Sequence, residues 1–245
     1  MRKTTLGKQV IESVIADMDR RRGNLPAPQL RYFLDTYQRT TRAIAAAIDD
    51  ARFEDPDWVE RWDVAFARLY LDAHDAGDAA PRPWRLAFSA PAELPPLRHV
   101  LLCINAHVNY DLPQALLAVI SVGEFGDAAL LDRRRRDHER IDGVLASRVG
   151  AEDDELSTFG KSLLDRLLTP LNRIGSKRFL REGRQKVWHN TAELHAARVA
   201  GPDTYRARLA ELEVLSAARI ADLLAPGQVI LRLAVGGFGV LLPPT

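Results

Sequence analysis

Cysteine is almost missing from this 245-residue sequence, where Cys103 stands alone. A lone cysteine cannot close an intramolecular disulfide or build a cysteine-rich zinc site. An excess of one charge is missing too. Thirty-four basic and thirty-three acidic side chains leave a formal net charge of +1, which speaks against a general binder of nucleic acid or of anionic membranes. No stretch of about 20 apolar residues free of charge occurs, so no membrane span is expected. The segment Met1–Gly23 carries acids early and holds no apolar core of signal-peptide length, so the expected location is cytoplasmic. The G-x-S-x-G elbow, the P-loop, the dinucleotide-binding glycine fingerprint and the H-E-x-x-H zinc motif are also absent.

What is present suits helices. With 47% hydrophobic and 27% charged residues, the chain can bury a substantial core. Leu6–Arg22 places Val10, Val14 and Ile15 at helical spacing, and Gly23-Asn24 stops the pattern. A second helix spans Gln29 to about Asp50. Asp55-Pro56-Asp57-Trp58 starts a third, with a capping aspartate and a proline in the first turn. That helix runs to Ala76, ahead of Gly77. Five prolines between Ala79 and Pro96 suggest an ordered loop anchored by Trp84, Leu86 and Phe88. Leu97–Ile120 forms the central helix. Further helices are expected over Ala128–Val149, Leu156–Leu168, Leu171–Ala200 and Thr204–Leu224. Only the apolar, glycine-containing tail Gln228–Leu242 has any β-like composition, as a short hairpin or a packed segment. The expectation is an all-α, single-domain bundle of roughly eight helices, with homodimer exchange through the tail as a lesser option.

The central stretch sets His99, Asn105, His107, Asn109, Tyr110 and Asp111 into an apolar run. Burying so many polar groups costs stability unless each finds a partner or a task. His107 and Asp111 lie four apart and share a helical face. Downstream, His138 and Asp142 repeat that spacing. Two such pairs on neighbouring helices would give four nitrogen and oxygen ligands for zinc or another divalent ion, leaving a position for a water made acidic by the metal. Asn109, with Asn105, would orient groups at that catalytic site; alternatively, without metal, Asp111 orients His107 as a general base in an aromatic-walled cavity. His99, Asn105, Tyr70, Trp84 and Trp188 would then shape a pocket for a small-molecule substrate. The structural alternative makes Asp111 a helix cap ahead of Leu112-Pro113 and His107 a core histidine. Asn105 and Asn109 lie about 200° round the helix from His107, so one pocket can hold them all only if the helix is distorted near Pro113. His189 and Glu193 form a third pair at this spacing, and Arg133–Arg136 with Arg140 reads as a solvated charged face.

The run Ile104-Asn-Ala-His-Val-Asn-Tyr-Asp-Leu-Pro113 resembles the DUF5995 family, a largely actinobacterial group of uncharacterised proteins. Phe53, Asp55, Pro56, Trp58, Phe66, Tyr70, Trp84, Arg184 and Trp188 fit the same likeness, which covers most of Tyr37–Leu194. It implies a helical protein with that motif as its hallmark and brings no established activity. A fainter similarity links the two His-x-x-x-Asp pairs to helical zinc-dependent phospholipase C and P1-type nucleases. It implies metal-assisted hydrolysis of a small ester or phosphoester. A tryptophan at a processed N-terminus, a secretion signal and a second histidine soon after Asp111 are all lacking.

Overall fold

Amphipathic segments of this kind are stable only when their apolar faces meet, and in the computed structural model of the protein they meet around one central rod. The structure describes residues 3–25, 27–152, 172–227 and 229–244. Among these, α1 (Lys3–Gly23), α2 (Leu30–Asp49) and α3 (Pro56–Ala76) form the first layer. After a 3₁₀ turn come α4 (Arg82–Phe88) and α5 (Pro96–Ala106). A π-helical turn, His107–Asp111, joins α5 to α6 (Leu112–Val119). Then follow α7 (Val122–Phe125), α8 (Ala128–Glu152), α9 (Asn172–Ala200), α10 (Pro202–Leu224) and α11 (Val229–Gly236). No strand occurs among the described residues. The all-α expectation is met.

The α5–π turn–α6 rod lies between two groups of helices. On one side α2 packs against α5, and α3 against α6. On the other, α9 packs against α6, and α10 against α5 and the π turn. The largest fully buried side chains, among them Trp58, Tyr70, Trp84, Leu102 and Leu116, line the seams of this arrangement.

Three local expectations need correction. Ala79–Pro96 is not only loop: α4 forms there because Pro83 sits in its first turn, where a missing N–H costs nothing. The central helix is not continuous. Pro113 has no donor for the carbonyl of Asn109 and its ring crowds that carbonyl, so the helix widens into the π turn just ahead of it. The tail makes no hairpin: α11 ends at Gly236, Gly237 takes φ +71, and the chain then runs extended. The helix expected over Leu156–Leu168 lies outside the described residues.

The N-terminus of α3 is held with particular care. Asp55 accepts the Trp58 N–H at 3.1 Å, as its capping role requires. The Asp137 carboxylate of α8 accepts the backbone N–H groups of Glu54 and Asp55, each at 2.8 Å. Arg133 and Arg134 pair with Asp55, and Arg136 and Arg140 with Glu54. Most of the expected solvated face is therefore a clamp on α3.

Candidate functional site: a buried histidine–aspartate dyad

The π turn brings His107 and Asp111 together. Nδ1 of His107 lies 2.8 Å from Oδ2 of Asp111, and the same oxygen accepts Trp84 Nε1–H at 2.8 Å. Trp84 can only donate, so Oδ2 accepts from it. When Oδ2 also accepts Nδ1–H of His107, the lone pair falls on Nε2. The expected capping role of Asp111 is absent, since its side chain caps no helix. His107 is 3% exposed and Asp111 1%.

Aromatic rings enclose the imidazole. Phe66 stacks on it at 3.5 Å between centroids, with planes 5° apart, and Tyr37 meets it edge-on at 4.6 Å. Trp84, Phe33 and Tyr70 complete the wall at 5.7, 5.9 and 6.1 Å. Burial pushes the His107 pKa well below the usual imidazole range and that of Asp111 well above the usual carboxylate range. The Trp84 N–H opposes the second shift. Desolvation thus holds the dyad without net charge.

Two further residues belong here. Asp63 on α3 is 1% exposed, neither of its carboxyl oxygens has a hydrogen-bond partner, and burial raises its pKa to about 8. Tyr37 is buried with an unpartnered hydroxyl, and Asp63 and Asp111 both push its pKa up after burial has done so. His107 Nε2 is unpartnered as well. Buried polar atoms without partners are uncommon in native proteins, and here His107, Tyr37 against its ring, and Asp63, which acts on Tyr37, each contribute them. Sequence reasoning passed over both residues. A signal for Asp63 existed: an acid stands between Trp62 and Phe66 on the apolar side of α3.

The other candidates divide. Tyr70 and Trp84 are at the dyad. His99 packs 6.0 Å from Tyr32. Asn105 and Asn109 face away from the dyad. Asn105 donates to the Leu101 carbonyl at 2.8 Å and accepts from Asn109 at 3.2 Å, while Asn109 also bonds the backbone of Phe238 and Val240. His138 is fully buried against Trp62 and Trp188, at 5.2 and 5.7 Å, so Trp188 walls that histidine and not His107. Arg184 lies 3.0 Å from His138 Nδ1 and also binds its carbonyl. A guanidinium there occupies one ring nitrogen and repels a cation. The side chain of Asp142 lies outside the described residues, and among those described no three His, Cys, Asp or Glu side chains gather in a metal-binding group. His189 bonds the Leu242 carbonyl, and Glu193 pairs with Arg208. Cys103 is buried, its thiol pushed up to about 12, which leaves it unreactive.

A family model described as a family of unknown function, DUF5995, matches residues 11–226. No curated protein and no solved structure matches the chain. The fainter likeness to zinc-dependent phospholipases and nucleases therefore stands on the two His-x-x-x-Asp spacings alone. No described helix is long and apolar enough to cross a membrane.

Proposed function

The chain belongs to the DUF5995 family, and from the geometry of its buried dyad we propose that it is an enzyme of metal-free acid–base chemistry on a small molecule. The observation that carries this reading is the orientation of His107: Asp111 holds Nδ1 and leaves Nε2 unpartnered in an aromatic enclosure. His107 acts as general base through Nε2, Asp111 fixes its tautomer, and Trp84 fixes Asp111. Asp63, neutral below about pH 8, and the Tyr37 hydroxyl supply donors for a polar group on the substrate. The surrounding rings favour a substrate that is largely apolar around that group. With His107 3% exposed, access requires a packed element to move, as lids do in many enzymes. The hydrolytic metal alternative has less support, because Arg184 occupies the His138 ring nitrogen nearest to it.

A structural reading has one observation in its favour. The imidazole stacks on Phe66 as closely as a core side chain would. One substitution separates the two readings. His107→Gln should abolish turnover of, or thermal stabilisation by, any ligand found in a small-molecule library, while changing stability by less than about 1 kcal/mol. Ligand binding and turnover untouched by His107→Gln would overturn the proposal.

A further inference from the structure

Beyond Gly236 the chain runs extended between α9, α10 and the π turn, and side chains rather than a neighbouring strand bond its backbone. Asn109 Nδ2 donates to the Phe238 carbonyl at 3.1 Å, and Asn109 Oδ1 accepts the Val240 N–H at 3.4 Å. Asn190 repeats the operation two residues on. Its Nδ2 donates to the Val240 carbonyl at 3.0 Å, and its Oδ1 accepts the Leu242 N–H at 2.9 Å. Two amides from different helices thus engage an extended chain at its two-residue period, as strand addition does with backbone groups. Lys186 and His189 bond the carbonyls of Gly239 and Leu242 at 3.0 and 2.9 Å.

Backbone bonds of this kind accept any sequence; the side-chain positions do not. Val240 and the fully buried Leu242 enter a small cluster formed by Tyr110, Leu117, Leu194 and Leu212, whereas Leu241 points out, half exposed. At position 239 an added Cβ would meet Lys186 Cδ at 2.7 Å and its Cβ at 3.2 Å, so a side chain there must push aside the lysine that bonds the Gly239 carbonyl. The bound pattern is apolar–Gly–apolar–x–Leu. Asn109, Lys186, His189 and Asn190 all fall within residues 11–226, the part shared with the family, while the segment they hold lies beyond it. The groove belongs to the shared body and the occupant does not.

We propose that this groove is a binding site for extended peptides of that pattern, and that the tail is its resident, exchangeable occupant. In the intact chain the tether gives the tail a high effective concentration, which masks the site from peptides in solution. Removing the tether should reveal it. A protease site placed at the exposed Pro226-Gly227 and cut after folding leaves every residue of the chain in the sample. A fluorescent peptide of residues 237–244 should then bind the cut protein at least about 100-fold more tightly than the intact one, by anisotropy. Asn190→Ala in the protein, or alanine for Gly239 in the peptide, should each weaken binding at least tenfold. A cut protein that keeps its helical circular dichroism yet fails to take the peptide overturns the proposal. Binding indifferent to both changes overturns it too. If cutting unfolds the protein, the intact chain decides by hydrogen exchange. Unlabelled peptide above the tail's effective concentration, on the order of millimolar, should speed exchange of the Val240 and Leu242 amides, and unchanged protection there overturns the idea.

Discussion

The rod at the centre of the fold carries two polar pairs, each spaced four residues apart, on opposite faces of one π turn. Asn105 and Asn109 face the tail, and their amides are spent on each other, on Leu101 and on the tail backbone. His107 and Asp111 face α2, α3 and α4, where Asp111 is doubly bonded but His107 Nε2, Tyr37 and Asp63 keep polar atoms without partners. One face closes its hydrogen-bonding demands, as a structural joint should. The other leaves atoms open at a cost the fold must absorb, and polar groups left open in an enclosed place are what a site for chemistry needs.

The contrast can be broken first at Asp111. Asp111→Ala strands the Trp84 N–H and His107 Nδ1 in the core, and should cost about 3–5 kcal/mol by urea denaturation. A loss near that of an exposed substitution would mean that the dyad is not the built feature described.

Asp63 tests the open face by pH. Its folded pKa, about 8, lies above its unfolded value of 3.8. The stability this gives is complete below the unfolded value and drains away as pH rises to about 8. Asp63→Asn removes that loss. The variant should match the parent near pH 4 and exceed it by about 1–3 kcal/mol at pH 8. His107 and His138 act in the opposite direction: their pKa values fall on folding, so the stability they give is present above pH 6.5 and shrinks as the solution is acidified. Equal urea midpoints for parent and variant at pH 8 would remove Asp63 from the account.

On the closed face, Asn190→Ala takes two bonds from a half-exposed tail and should cost only about 1–2 kcal/mol. Its larger signature is faster hydrogen exchange at Leu242, with the amides of α3 unaffected. The smallest effect concerns metal. Protein purified without an affinity tag should contain no stoichiometric zinc, iron or manganese by elemental analysis, and a chelator should move its Tm by less than about 1 °C. Near-stoichiometric metal would restore the hydrolytic reading.

Much of this was legible in the residues. Asp55-Pro56 announced the start of α3, and the His-x-x-x-Asp and Asn-x-x-x-Asn spacings announced two opposed polar faces, which only a distortion near Pro113 could have brought into one pocket. Asp63 escaped because helical periodicity was followed through the apolar residues, among which an acid reads as an interruption and not as a member. Helix α4 escaped because proline counts as a breaker except in a first turn, and only the fold decides where a first turn falls. The tail clamp could not be read at all. It joins Asn109 to Asn190 through a segment remote from both, and local pattern holds no information about such a meeting.

The π turn does one more thing, best described as a change of phase. It holds one residue more than an α-helical path between the same ends, so every side chain from Leu112 to Val119 is turned by about 100° from where an unbroken helix begun at Pro96 would have set it. That rotation decides which edge of α6 meets α3 and which meets α9. The five residues that hold the dyad are therefore also the indexing step of the whole rod. Removing one residue between His107 and Asp111 would leave an α-helical path between the same ends, so α6 would keep its alignment while the spacing of the dyad would be lost.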